Sequence, residues 1–196
     1  MSEVLLHLFV SELSFIERDI FDLIFDLSKE FYIFSRNKEL ENNKNPCGVI
    51  CKFPKEVITI VKRELMDFKY LTEVILPNGL KKIEYSSFLN CSSLNKIILP
   101  KSLTHIGAFA FSGCKSLKEI IIPDGILVIE TRAFTYCTSL STVYLPCGLK
   151  RIGGDAFSAC HSLETINLPD SLEEIGTYAF AECYLLKDIV IPELIT

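Results

Sequence analysis

The most regular feature of the chain is a short apolar run that ends at a proline and returns at a constant interval. In Leu117–Ile122 the first, fourth, fifth and sixth residues are apolar, and Pro123 follows. The same kind of run ends at Pro100, 23 residues earlier, and at Pro146, 23 residues later. Short runs rich in β-branched residues predict strands. Proline lacks an N–H donor and predicts where each strand ends.

Four columns of residues keep this interval of 23. They are Leu71, Leu94, Leu117, Leu140, Leu163 and Leu186; Pro77, Pro100, Pro123, Pro146, Pro169 and Pro192; Phe88, Phe111, Phe134, Phe157 and Phe180; and Cys91, Cys114, Cys137, Cys160 and Cys183. Independent columns that share one register over five units identify a repeat array. We number each repeat from its leucine, so the proline is position seven, the phenylalanine position eighteen and the cysteine position twenty-one.

A repeat of this length is too short to bury its own apolar face, so the repeats must stack. Stacking places the columns in one continuous core and the strands in a parallel sheet, with turns about 4.8 Å apart. The cysteine column is then part of the packing. We therefore predict a solenoid in which each repeat contributes one turn.

The motif resembles the treponemal-type or BspA-like class of leucine-rich repeats. Leu117–Ser139, LKEIIIPDGILVIETRAFTYCTS, carries that class's strand, its proline and its A-F-x-x-C ending. The resemblance covers residues 48–196 and implies an α/β repeat solenoid, right-handed and curved, with a parallel β-sheet on the concave face. It also implies binding rather than catalysis. Gly48–Tyr70 fits as one atypical repeat, followed by five full repeats and one partial C-terminal repeat.

Residues 1–47 break the interval and are predicted to form an N-terminal helical cap and a polar connector. One helical stripe joins Ile16, Ile20, Leu23, Ile24, Leu27, Phe31 and Phe34. Ser14 and Glu17 form a capping box at its start. Ser35–Pro46 is the connector. We expect the helix to cover the end of the first repeat; the alternative is a separate binding helix.

Charge and hydropathy narrow the class of protein. The net charge is −5, whereas a nucleic-acid binder needs a basic surface. The first residues lack the basic start of a secretory signal. No run approaches the roughly 20 apolar residues that span a bilayer. We expect a cytoplasmic protein that binds no nucleic acid and does not insert into membranes; the cell surface is the alternative location.

The eight cysteines are interpreted mainly as packing residues. The five at position twenty-one should be buried and reduced, because stacked parallel side chains have poor disulfide geometry. Cys47 and Cys51 form a C-x-x-x-C pair, but no further zinc ligands follow nearby, so packing is favoured over a metal site. Cys147 replaces a polar turn residue and is expected at the surface.

The sequence offers no evident catalytic constellation. The only histidines are His7, His105 and His161, and none recurs with a nucleophile and a carboxylate as a triad would require. The glycines of Ile152–Phe157 lie within a repeat and do not form a phosphate-binding loop. We expect a non-enzymatic protein without a cofactor or a bound metal.

The variable strand residues at position five are the candidate partner-binding site. Side chains alternate between the two faces of a strand, so these residues should point outward from the concave face. This position-five stripe consists of Ile75, Ile98, Ile121, Tyr144, Asn167 and Val190. Contiguous exposed apolar area usually marks a contact surface. The competing explanation is that β-branched residues simply favour strands.

The C-terminal end is the candidate self-association site. The last repeat has the predicted strand Leu186–Ile191 and its proline, without the phenylalanine and cysteine half. An unpaired strand edge, with Leu186, Ile189 and Ile191 beside an open core, should pair with another chain and give a homodimer. The alternative is that a missing half-repeat caps the native end.

The sequence is compatible with two functions. The first is a protein-interaction scaffold that regulates a signalling enzyme such as a phosphatase, by analogy with cytoplasmic leucine-rich repeat proteins. The second is a surface-associated adhesin, as the BspA-like resemblance implies. The absence of a clear export signal favours the scaffold.

Overall fold

The computed structural model describes residues 33–36, 48–193 and 195. These residues form thirteen short strands and no helix. In chain order the strands are β1 (Ile33–Arg36), β2 (Val49–Lys52), β3 (Thr59–Ile60), β4 (Leu71–Ile75), β5 (Lys82–Ile83), β6 (Lys96–Ile97), β7 (His105–Ile106), β8 (Glu119–Ile121), β9 (Val128–Ile129), β10 (Thr142–Tyr144), β11 (Arg151–Ile152), β12 (Thr165–Ile166) and β13 (Glu174–Ile175). Within the described residues, no helix is long and apolar enough to cross a membrane.

Strands of successive turns pair in parallel, one repeat apart. Thr142 of β10 pairs with Glu119 of β8 and with Thr165 of β12. A second strand in each turn pairs in the same way, as Arg151 of β11 does with Val128 of β9. The repeat interval is therefore the register of both rows of strands, which confirms the predicted parallel solenoid. The second strand of each turn was not predicted from the sequence.

Both rows of strands are interrupted at the same junction. One row consists of β1-β2-β4-β6 and then β8-β10-β12, and the other of β3-β5-β7 and then β9-β11-β13. The junction lies between the turn that begins at Leu94 and the turn that begins at Leu117. The core continues across it, because the rings of Phe111 and Phe134 stack with their centroids 5.3 Å apart.

The predicted core columns are confirmed. From Leu71 to Leu163, the side chains at positions one, eighteen and twenty-one are at most 1% exposed. The phenylalanine rings form a continuous stack with centroid distances of 5.2 to 5.7 Å. In the last described turn Phe180, Cys183 and Leu186 are only half-buried. Each inner turn thus supplies its apolar side chains to one core that no single repeat could close.

Two corners of each turn adopt a left-handed backbone conformation, although only one of the residues there is glycine. They are Arg63, Ser86, Phe109, Arg132, Asp155 and Tyr178 at position sixteen, and Asp67, Asn90, Gly113, Tyr136, Ala159 and Glu182 at position twenty. This conformation is unfavourable for residues with a Cβ. Hydrogen bonds to the next turn hold it: the N–H of Arg132 donates to the carbonyl of Gly154 at 3.0 Å, and the N–H of Tyr136 donates to that of Ser158 at 2.9 Å.

The predicted N-terminal helical cap is not supported. Ile33–Arg36, which includes Phe34 of the helical stripe and the start of the connector at Ser35, is strand β1. It pairs antiparallel with β2, with Phe34 opposite Cys51. The outer edge of β2 has unpaired backbone groups that a strand can satisfy and a covering helix cannot. The rest of the predicted helix and connector lies outside the described residues, and the domain boundary at residue 48 stays a prediction.

The strand predicted over Leu186–Ile191 is wrong. The chain there forms no ladder with β12; the N–H of Lys187 reaches the carbonyl of Glu164 only at 3.4 Å. Asp188 has a φ of 50°, in the left-handed region, so the segment cannot remain extended. Leu186 and Ile189 are half-buried against the core, whereas Ile191 is exposed. Self-association through these residues stays a prediction, but it cannot use a regular strand edge.

Candidate interaction surface

All six residues of the position-five stripe are exposed to solvent. Ile75, Ile121 and Tyr144 lie on strands of the first row, Ile98 and Asn167 directly follow strands of that row, and Val190 lies past its last strand. The exposed fractions are 41% for Ile75, 76% for Ile98, 64% for Ile121, 54% for Tyr144 and 78% for Val190, and Asn167 is also exposed. Their neighbours along the strand point inward. The stripe is therefore not covered by any other described part of the chain.

The register of the strands aligns the stripe within each sheet, and the ladder is interrupted between the turns of Ile98 and Ile121. Tyr144 pairs directly with Ile121 across β10 and β8. On either side of Ile121, Ile120 and Ile122 are buried at 1% and 3% exposure. At the N-terminal end of the row, Lys52 of β2 pairs with Ile75 of β4. The first apolar residue of the stripe therefore lies beside a positive charge. Side chains from successive turns thus form one rigid line on which an extended apolar partner could lie.

A polar row accompanies the stripe at position three. Lys96 Nζ lies 2.7 Å from Glu73 Oε1 in the neighbouring turn. Glu119, Thr142 and Thr165 continue this row on β8, β10 and β12. An apolar line flanked by polar groups has the composition of an interface centre with its rim.

The position-twenty-one cysteines are structural. Their thiols donate to carbonyl groups of the preceding turn, as Cys114 Sγ does to Phe88 at 3.3 Å and Cys137 Sγ to Phe111 at 3.2 Å. Burial raises the pKa of Cys137 from its ordinary 9.0 to about 12, and raises that of Cys114 as well. A thiol that is buried and stays protonated is a poor nucleophile. The expectation that these residues are buried is confirmed for Cys91, Cys114, Cys137 and Cys160, whereas Cys183 is only half-buried.

The remaining candidates for chemistry are dispersed. His105 lies on β7, while His161 contacts Glu182 at 3.5 Å and stacks on the ring of Tyr184 at 5.3 Å. Cys51 is fully buried on β2 beside Val74 of the next turn. Cys47 lies outside the described residues. Within the described part of the chain no three His, Cys, Asp or Glu residues are grouped so that they could hold a metal ion.

A line of aromatic and arginine side chains follows the left-handed corners, and the sequence analysis missed it. The guanidinium of Arg63 lies 5.9 Å from the ring centroid of Tyr85, and that ring meets Phe109 edge-on at 5.6 Å. Arg132 lies 5.6 Å over Phe109 and binds Asp155 at 3.1 Å. These residues look unrelated in sequence, because successive repeats contribute different chemical types to adjacent positions.

Comparison with known proteins identifies the repeats. The family model described as "BspA type Leucine rich repeat region" matches residues 58–187, in six copies. No curated protein sequence matches the chain significantly.

Solved structures of bacterial leucine-rich repeat proteins resemble the fold. One from Bacteroides ovatus is 27% identical over 85% of this chain and 53% of its own, with a TM-score of 0.57. The T. pallidum leucine-rich repeat protein is 32% identical over 83% of this chain and 70% of its own, with a TM-score of 0.56. A leucine-rich cell surface protein from Faecalibacterium prausnitzii is 26% identical over 82% of this chain and 52% of its own, with a TM-score of 0.57. This chain spans about half the length of the first and third of these structures.

Proposed function

Because the chain belongs to the BspA type leucine rich repeat family, we propose that it is a non-enzymatic interaction module that binds a protein partner through the position-five stripe. The observation that carries this proposal is the exposure of apolar side chains in four successive turns, from Ile75 to Tyr144. Repeat proteins bind through extended surfaces of this kind. An exposed contiguous apolar surface is favourable to cover and unfavourable to leave in water.

The finer proposal is that the partner is a signalling enzyme, such as a phosphatase, in the cytoplasm. It rests on analogy with cytoplasmic leucine-rich repeat proteins, and the fold by itself does not select a partner.

The second candidate function is surface adhesion. The observation that favours it is the resemblance to a leucine-rich cell surface protein from Faecalibacterium prausnitzii. Fractionation of native cells decides between them: recovery with the envelope supports the adhesin, and recovery in the soluble fraction supports the cytoplasmic scaffold.

The stripe is tested by replacing three of its members together with threonine, at Ile98, Ile121 and Tyr144. Threonine is β-branched and favours extended backbone, and it removes most of the apolar area. The variant should stay folded and lose recovery of the partner from native extract. Before this comparison, a photoreactive amino acid in place of Ile121 crosslinks the bound partner so that it can be identified.

The matched control replaces exposed apolar residues elsewhere on the molecule. Ile58, Val61 and Leu127 are 62%, 53% and 55% exposed, comparable to the stripe, and lie outside the first row of strands. Their joint replacement by threonine should leave recovery unchanged. Equal loss in both variants, at equal melting temperature, would refute a role specific to the stripe.

A further inference from the structure

The charges of the solenoid are segregated along its length. Residues 48–118 contain eleven Lys and Arg against five Asp and Glu, a formal net charge of +6. Residues 119–193 contain four Lys and Arg against eleven Asp and Glu, a net charge of −7. The sign changes at the junction where both rows of strands are interrupted. A body with one basic and one acidic half is electrostatically complementary to a second copy that runs in the opposite direction.

The segregation is sharpest at position eight, the residue after each proline of the array. This position-eight edge consists of Lys55, Asn78, Lys101, Asp124, Cys147, Asp170 and Glu193, all exposed. The prolines open tight turns: the N–H of Leu103 donates to the carbonyl of Pro100 at 3.0 Å, and that of Leu172 to Pro169 at 2.9 Å. The edge is therefore a row of turn tips held at the fixed spacing of the turns.

On the position-eight edge Lys55 lies 3.8 Å from Glu56, its neighbour in the chain, and within residues 48–193 no ion pair links this edge to another turn. At other positions ion pairs form between turns, as between Lys150 and Glu173 or between Arg132 and Asp155. Within residues 48–193, neither Lys101 nor Asp170 has an oppositely charged group within 4.0 Å. As far as the described residues go, the charges of Lys101 and Asp170 are solvated and available to another molecule.

We propose that two copies of the chain associate antiparallel along the position-eight edge. A two-fold axis between the turns of Asp124 and Cys147 sets Lys101 of each copy opposite Asp170 of the other and Asn78 opposite Glu193. With this axis Asp124 of one copy faces Cys147 of the other, so the two Asp124 carboxylates do not meet. The competing occupant is the N-terminal segment 1–47, with a net charge of −4. That segment complements only the basic half, whereas a second copy complements both halves.

The association is weak and salt-sensitive, because exposed ion pairs contribute little and are screened. Sedimentation velocity of the full chain should show dimers at about 20 mM NaCl and monomers at about 500 mM NaCl. Each of Lys101→Glu and Asp170→Lys places like charges at both symmetric contacts. Each variant alone should dimerise at least about tenfold more weakly than wild type.

Mixing the two variants provides the decisive measurement. In the mixed pair, the glutamate introduced by Lys101→Glu in one copy faces the lysine introduced by Asp170→Lys in the other. At the second contact the unchanged Asp170 of the first copy faces the unchanged Lys101 of the second, so both contacts are again complementary. An equimolar mixture should recover dimers that neither variant forms alone. Recovery shows that these two positions meet between copies. Growth that stops at the dimer distinguishes the two-fold arrangement from a staggered head-to-tail array, which would continue to larger species.

The control variants reverse charges on another face. Lys82 and Glu174 are exposed at position twelve, one in each half, and Lys82→Glu and Glu174→Lys change the net charges by the same amounts. They should dimerise like wild type. A monomeric wild type at low salt, a mixture that stays monomeric, or controls as weak as the test variants would each overturn the proposal. So would a dimer that survives Lys101→Glu and is lost on Ile189→Asp, which would place association at the C-terminal end.

Discussion

The ring of Phe134 lies parallel to the ring of Phe157 in the next turn, with the centroids 5.4 Å apart and the planes inclined by 4°. The Phe111 ring lies on the other side at 5.3 Å. Phe134 is fully buried. Phe134 therefore connects its own turn to the turns on both sides, and its contact with Phe111 crosses the junction at which both rows of strands are interrupted.

Phe134→Ala should lower the free energy of unfolding by about 3–5 kcal/mol, because it leaves a cavity in the middle of the stack. Urea denaturation followed by circular dichroism measures this change. Tyr136→Ala is the control, since Tyr136 is 58% exposed two residues away. A loss at Phe134 no larger than at Tyr136 would show that the stack does not hold the turns together.

Gly153→Ala should destabilise the protein by about 1–3 kcal/mol through steric conflict. A Cβ at this position would lie 2.6 Å from the backbone nitrogen of Thr131 and 2.9 Å from the carbonyl carbon of Glu130, which cannot move without disturbing the preceding turn. Gly79→Ala is the matched control, because a Cβ there meets nothing within 4 Å. Its stability should stay the same or rise slightly. Thermal denaturation of the two variants tests the prediction, which fails if both melt alike.

Among the cysteines of residues 48–193, Cys147 should react first with iodoacetamide. It is exposed, whereas Cys114, Cys137 and Cys160 are fully buried with raised pKa values. Time-resolved labelling of the native protein, read by peptide mass spectrometry, gives the order. The buried sites should become labelled at the rate of Cys147 only in denaturant. Modification of Cys137 in the folded protein as fast as Cys147 would contradict the packing assignment.

Stability should fall as the pH rises above about 9. Burial raises the pKa of Cys137 from its ordinary 9.0 to about 12 and that of Cys183 to about 11. Between the two pKa values the unfolded chain has lost the thiol proton and the folded chain retains it, so increasing pH favours unfolding. Each fully buried thiol contributes a decline of roughly 1 kcal/mol per pH unit in this window.

Urea denaturation at about pH 8 and about pH 10 measures the decline. Cys137→Ala provides the internal comparison, because it removes one titrating group while the other residues that titrate at high pH are retained. Its loss of stability between the two pH values should be smaller than that of wild type. Equal losses would mean that Cys137 does not retain its proton in the folded state.

The sequence failed where the answer depended on neighbouring backbone. Residues around Phe34 have a helical apolar stripe, yet Ile33–Arg36 forms a strand because β2 offers an unpaired edge. Leu186–Ile191 has the strand pattern of the other repeats, but the left-handed Asp188 interrupts it. In the first case a neighbouring strand decided the conformation, and in the second a left-handed residue within the segment ended the strand pattern.

What the sequence determined by itself was the repeat, and with it the register of the strands, the buried columns and the outward direction of the position-five stripe. Repeats of equal length can stack in one register only, so counting 23 residues fixes which side chains meet. The tertiary structure alone decided the added strand β1, the second strand of each turn, the left-handed corners and the line from Arg63 to Asp155. These features are held by hydrogen bonds and contacts between turns, and a pattern read along one turn does not contain the groups that the next turn presents.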